Sequence, residues 1–210
     1  MTQSKLSQWL KILIPILEAS LAELKSLPAR TQEELNARIT ELRTTMFWVD
    51  ASEREVPRPK DNDTQKATFS VKKHKNSVKN TLLCQENQEI LFLGITQEGS
   101  VHDITLLRED EIVLPKDSTL LQDLGYEGHL PENVTIIMPY KKPKNKELNL
   151  NEKILNVWIS SCRIVVEHAI AGVKRLRCVL DEIRLKTTDI LDRVMSIACG
   201  LHNLRVKSRT

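Results

Sequence analysis

Arg163, Glu167 and Lys174 recur at steps of four and seven along "ISSCRIVVEHAIAGVKR", residues 159 to 175. On a helix that spacing projects all three from nearly one face. Ile164, Val165, Ile170 and Val173 flank the stripe, so charge is concentrated where a surface helix would scatter it over a broad solvated side. The simplest reason for the carboxylate is a helix salt bridge from Arg163 to Glu167, worth about 0.2–0.5 kcal/mol, and on this stretch alone it is the better reason. The other is chemistry that needs an acid on a packed helix.

Two further acids make that second reason concrete. Asp50 ends the apolar run "TTMFWVD" and Asp123 ends "STLLQD". Each follows residues that anchor it, and "GYEG" after Asp123 imposes a tight turn that leaves the carboxylate facing a cleft. Carboxylates brought together are costly unless cations neutralise them, so such a cluster implies raised pKa values or bound metal. Hard oxygen ligands without Cys or His suit Mg²⁺ or Mn²⁺, ions that bind through a few carboxylates and substrate phosphate oxygens. On this reading Glu167 is the ligand carried by the helix.

The elements that must position these acids follow from periodicity. Residues 5 to 26 carry Leu6, Trp9, Leu10, Leu13, Leu17, Leu21 and Leu24 at helical spacing, and "ARTQEELNARITEL" reads as a second, more polar helix. "TTMFWVD", "NTLLCQ" and "EILFLGI" read as three strands in a meander, "VHDITLLRED" as a helix, and "STLLQD" and "NVTIIMP" as two more strands. A long helix from "LNEKIL" through "GVKRL" and a last one through "DILDRVMSIACGLHNLRV" complete the chain. This is a mixed α/β layout around one sheet. A helical crossover lets the fourth strand lie parallel beside the first, with chemistry at the carboxyl ends.

The chain has 210 residues, 40% of them hydrophobic, enough for one substantial core with a small appendage. Cys84, Cys162, Cys178 and Cys199 lack metal-ligand spacing and read as reduced core residues of a cytoplasmic protein. Lys11 and Pro15 interrupt "LSQWLKILIPIL", and no cleavage site follows, which argues against a signal peptide or a membrane span. A net charge of +3 is too small to argue for nucleic acid, but its distribution is uneven. Between Arg54 and Lys79 eight basic residues, among them Arg58, Lys72, Lys73 and Lys75, face three acids; "KKPKNK", with Lys141 and Lys142, is a second cluster. Either cluster alone reads best as a solvated loop. Two of them near one acidic site read as a DNA groove.

"VDASEREVPRP", "GSVHD", "LLQDLGYEG" and "RIVVEHAIAGVKR", in this order, resemble the catalytic domain of DDE transposases of the bacterial insertion-sequence type related to Harbinger elements. The resemblance covers roughly residues 44 to 206, and its specificity lies in the agreement of four motifs in order. It implies an RNase H-like fold, a mixed five-stranded sheet flanked by helices. It also implies that Asp50, Asp123 and Glu167 are the catalytic and metal-binding triad, and that Arg163 and Lys174 belong to the signature of the final catalytic helix. Ser160 stands where related families often carry a tyrosine. The implied activity is cleavage of DNA at the ends of an insertion element and transfer of the freed 3′-hydroxyl to target DNA, with two divalent cations, Mg²⁺ or Mn²⁺.

Lys174, two turns from Glu167, suits a DNA phosphate better than proton transfer, and Arg163 suits either phosphate or the orientation of Glu167. Asp103 reads as a helix N-cap in preference to a fourth ligand, His168 as structural, Trp48 and Trp158 as core, and Tyr126 as a packed turn aromatic in preference to a base-stacking one. Two other functions share these residues: a decayed or domesticated copy that binds DNA or a partner without cutting, and an RNase H-like nuclease outside transposition. The intact acids argue against the first, and the four family motifs against the second.

"TQSKLSQWLKILIPIL" resembles the recognition helix of the helix-turn-helix that precedes such catalytic domains. The expected division is therefore a helical segment at 1–43, a remnant of a DNA-reading module with its linker, and a catalytic domain at 44–210. Gln3, Lys5 and Gln8 would lack their platform, the rest of the module being lost or a separate subunit. Trp9, Leu13 and Leu17 would need cover from the catalytic core, a second chain or that subunit. A homodimer or larger synaptic complex on DNA, and no membrane, complete the expectation. The competing view takes 1–43 as a complete helical linker.

Overall fold

The structure, a computed structural model, describes residues 3–144, 147–182 and 188–209. Its centre is strand β1 (Met46–Glu55). Alternation along "FWV" sends Phe47 and Val49 to one side and Trp48 to the other, and all three are buried, as a strand covered on both faces requires. β1 pairs antiparallel with β3 (Lys75–Cys84) from Trp48 opposite Cys84 to Glu55 opposite Ser77. β3 in turn pairs antiparallel with β4 (Ile90–Leu93), which gives the expected meander. Helix α4 (Asp103–Glu109) lies in the crossover to β6 (Ser118–Leu121), which runs parallel to β1, and β7 (Val134–Ile137) runs parallel to β6.

All five expected strands are present, in the spatial order β4, β3, β1, β6, β7. Two strands of two residues each, β2 (Phe69–Ser70) and β5 (Gln97–Glu98), extend the pairing along β3, and α3 (Asn62–Thr68) precedes β2. Of these short elements α3 and β2 lie in the basic segment that its composition marked as loop. The whole is an α/β fold with a mixed sheet flanked by helices, consistent with the RNase H-like expectation.

Two helices cover the Trp48 face: α5 (Leu150–Val173) and α7 (Thr188–Lys207), linked through the short α6 (Arg177–Leu180). Val166, Ala169 and Val173 of α5 and Met195, Ala198 and Cys199 of α7 share a core with Trp48, Leu82, Leu93 and Leu121. Asn149 and Glu152 close a reciprocal capping box at the start of α5, which fixes where the helix begins. By length and composition alone α5 could cross a membrane. Its buried positions at 159, 166, 169 and 173 instead follow the period of a helix lying on a sheet.

On the opposite face, Leu35 and Ile39 of α2 (Gln32–Leu42) and Leu107 of α4 pack against Phe47, Val49, Leu83 and Leu91. The segment before α2 also joins the sheet, because Ala29 bridges to Phe92. Helix α1 (Gln3–Glu23) forms as expected, yet among its described side chains only Leu21 is buried. Trp9 is 54% exposed, and Leu13 and Leu17 are exposed as well, so the α/β core does not cover these residues.

Several sequence expectations are corrected by this packing. Asp50 does not end its strand, because Ala51 to Glu55 go on pairing with β3. Trp158 is half exposed and His168 is exposed, since the sheet meets α5 on the other side; Trp48 is core as expected. Cys178 is exposed, whereas Cys84 and Cys199 are buried. Thr2, the side chain of Gln3, and Lys146 of "KKPKNK" lie outside the described residues.

Candidate active site

The parallel pairing of β1 with β6 ends at Trp48 opposite Leu121. Asp50 and Asp123 each stand two residues further on. β1 continues against β3 at that point, whereas the chain after β6 turns away through a 3₁₀ turn, Leu124–Tyr126, and the parting opens a cleft. Asp123 occupies the N-cap position of that turn but makes no capping bond with its side chain, which leaves the carboxylate turned to the cleft.

The cleft, about 180 Å³, is lined by Asp50, Glu53, Asp103 and Asp123 together with Lys72, Lys73, Lys79, Arg163 and Lys174. Asp50 accepts a hydrogen bond from the Ala51 N–H at 2.8 Å. Burial raises the Asp50 pKa; the Ala51 N–H and Arg163 pull it down, while the charges of Asp103 and Asp123 push it up. Arg163 Nη1 donates to Asp123 Oδ1 at 3.0 Å. The Arg163–Glu167 salt bridge is therefore not formed; the arginine reaches across to the sheet. Lys174 Nζ donates to the Glu53 carbonyl at 3.2 Å, and burial, then the nearby Lys73 charge, lowers its pKa.

Glu167 stands between Arg163 and Lys174 on the same helical stripe, but its side chain is exposed, lies outside the cleft lining, and makes no hydrogen bond or ion pair among the described residues. Asp103 and Lys79 do reach the cleft. Asp103 is the first residue of α4 and does not cap it; His102 takes the cap position, also without a side-chain bond. Lys79 Nζ donates to Asp103 Oδ1 at 3.1 Å and to the Val101 carbonyl at 3.0 Å. The signal that could have found this pair is the meander itself, which sets Lys79 opposite Glu53 and so near the acidic end of β1.

The basic residues divide. Lys72 and Lys73 face the cleft, and Lys73, Lys75 and Lys174 line an adjoining groove with Glu53, Glu55 and Ser77. Lys75 is paired with Glu55 at 2.7 Å. Arg58 is held by Gln65 away from the acids. Lys141 and Lys142 pair with Glu127 and Glu147 and do not join the cleft. Arg54, counted with the basic segment, is only 2% exposed; it donates to the Leu191 carbonyl, Asn80 and Thr96, and burial lowers its pKa to about 10.

Among the described residues no group of three His, Cys, Asp or Glu side chains could hold a metal ion by itself. Mg²⁺ keeps several of its waters and takes one or two carboxylates plus substrate phosphate oxygens. Asp50 and Asp123 fit that demand in kind, since both are hard anionic donors lining one cleft.

A family model described as DDE superfamily endonuclease matches residues 49–203. A probable transposase for insertion sequence element IS702 from Microchaete diplosiphon is 32% identical over 121 residues, 57% of this chain. The match spans 43% of that relative's length. No solved structure matches the chain.

Proposed function

Because the chain belongs to the DDE superfamily endonucleases, we propose that it cleaves DNA at the ends of an insertion element and joins the freed 3′-hydroxyl to target DNA. The observation that carries this reading is the placing of Asp50 and Asp123 beyond the paired ends of two parallel strands, in one cleft with Lys72, Lys73, Arg163 and Lys174. Acids without cations would repel a DNA phosphate, and cations without acids would only grip it. Together they can hold the phosphodiester and the divalent ion that attacks on it require.

Asp50 and Asp123 would hold divalent cations, with Glu167 supplying the third carboxylate from the neighbouring helix. Mg²⁺ or Mn²⁺ in that place supplies Lewis acidity toward the phosphate and lowers the pKa of a bound water or hydroxyl. The side chains do the rest. Lys72 and Lys73 draw the DNA backbone toward the cleft, Lys174 sits where it can neutralise a non-bridging phosphate oxygen, and Arg163 balances Asp123 until substrate phosphate competes for its guanidinium. Arg58 and Lys75 lie further out and would serve the flanking DNA, whereas Lys141 and Lys142, already paired with Glu127 and Glu147, would add little to binding.

In this proposal residues 44–210 are the catalytic unit and 1–43 a helical segment of a DNA-reading part. The partners are element ends, target DNA and a second copy in a synaptic complex, with a separate helix-turn-helix subunit as one source of end recognition. The exposed apolar side of α1 supports a partner at that helix. A nicking and strand-transfer assay with Mg²⁺ tests the reading. Wild-type protein should give cut and joined products, and Asp50→Asn and Asp123→Asn neither; cut ends without joined product would leave a nuclease outside transposition.

A further inference from the structure

Tyr126 is 1% exposed, at the close of the 3₁₀ turn that follows Asp123. Its ring packs with Phe47, Val49 and Leu107, as a turn aromatic should. Its hydroxyl is different: it is fully buried and meets no hydrogen-bond partner among the described residues, and Tyr126 is one of the residues that line the acidic cleft. A buried hydroxyl left unpaired costs free energy, and phenylalanine would fill the same apolar site without that cost. Packing therefore explains the ring and leaves the oxygen unexplained. Burial, then the charges of Asp50, Asp103 and Asp123, raises the phenol's pKa, so the group stays protonated and can act as a donor.

Asp103 poses the matching question from the other wall. The pairing of β5 with β3 and the turn after it bring the start of α4 to the cleft, and Lys79 holds the Asp103 carboxylate there. One of its oxygens is engaged by Lys79, and an ionised carboxylate has capacity for further donors.

Resting on the reading of the cleft as a divalent-ion site, we propose that the Tyr126 hydroxyl and Asp103 bind the water shell of the ion held by Asp50 and Asp123. An aquated Mg²⁺ or Mn²⁺ presents waters that both donate and accept, so a carboxylate and a phenol can engage neighbouring waters of one ion. Such outer partners orient the inner ones, and their loss commonly costs 10- to 100-fold in metal affinity. Neither residue needs to touch the metal, which suits a cleft whose acids do not converge into a three-ligand cage.

The test measures Mn²⁺ binding by electron paramagnetic resonance titration, with thermal unfolding, on the full chain as wild type, Tyr126→Phe, Asp103→Asn and Asp50→Asn. Tyr126→Phe should bind Mn²⁺ about tenfold or more weakly, while its metal-free melting temperature stays level or rises, because an unpaired polar atom is removed. Asp103→Asn should weaken Mn²⁺ to a similar degree. A hydroxyl with a purely structural role would give the reverse for Tyr126→Phe, a lower melting temperature with unchanged affinity, and would overturn the inference. If wild type binds Mn²⁺ and Asp50→Asn does not, yet Tyr126→Phe and Asp103→Asn bind as wild type, this inference alone falls. If the folded wild type binds no Mn²⁺, the divalent-ion reading fails and the inference with it.

Discussion

Arg163 donates to Asp123 across 3.0 Å and forms no ion pair with Glu167, one turn along its own helix. The arginine thus ties α5 to the strand end that carries the second acid, and Glu167 stays exposed on the stripe between Arg163 and Lys174. Glu167→Gln removes no interaction the fold uses, so its stability should change by less than about 0.5 kcal/mol, as at ordinary surface sites. Mg²⁺-dependent nicking by the same variant should fall to background if Glu167 completes the acid set. Thermal unfolding and a nicking assay on one preparation check both halves, and cleavage that persists would remove Glu167 from the set.

The Asp50 carboxyl is held above the ordinary carboxylate range by burial, with Asp103 and Asp123 adding to the effect. A carboxyl whose pKa rises on folding binds more protons in the native state between its unfolded value, about 3.9, and its folded value. Stability therefore falls as pH rises through that window, and the penalty is complete above it. Asp50→Asn should melt higher than wild type at pH 7, and the difference should shrink as pH falls through that window and be gone below about 4. Mg²⁺ at pH 7 should raise the wild-type melting temperature and not that of the variant, because an ion that binds only the folded state stabilises it. A variant that melts lower than wild type at pH 7 would show that Asp50 is a structural acid.

The five strands, the meander and the long helix were legible because local signals agreed. "FWV" and "STLL" are apolar runs of strand length, and α5 has a capping sequence at its start. What the sequence hid are facts about neighbours. Arg54 sits in a basic segment, but alternation along β1 turns it under α7, where the Leu191 carbonyl takes its charge. Asp103 has the sequence position of a cap, yet Lys79 from β3 draws it into the cleft. Trp158 has the composition of core, but the sheet meets α5 on another side. Each depends on the angle between elements far apart in the chain, which periodicity does not carry.

Gly172 of α5 lies close against His202 of α7. A Cβ there would stand 2.3 Å from His202 Nδ1 and 2.4 Å from its Cε1. His202 is itself buried and held by the Gln88 carbonyl at 2.8 Å, so it cannot swing aside freely. Alanine would ordinarily favour a helix by about 1 kcal/mol over glycine. Gly172→Ala should instead destabilise by about 1–3 kcal/mol, since overpacking outweighs propensity. Urea unfolding measures the difference, and an unchanged or higher midpoint would show that α7 yields without cost.

The basic clusters, alike in composition, should behave differently toward DNA. Lys72 and Lys73 line the acidic cleft, where a phosphate must come for cleavage, whereas Lys141 and Lys142 already have Glu127 and Glu147 as partners. A cation with a carboxylate partner must give it up to bind phosphate, so its net contribution and counterion release shrink. Replacing Lys72 and Lys73 together with alanine should weaken duplex binding across sequences and flatten the log–log salt dependence, by up to about 0.9 per lost phosphate contact. Lys141→Ala with Lys142→Ala should leave the slope nearly unchanged. Fluorescence anisotropy over a salt series on one DNA duplex compares the two pairs directly. Equal slopes for both variants would mean that the exposed ion pairs open on binding, and that the DNA path runs past β7 as well as through the cleft.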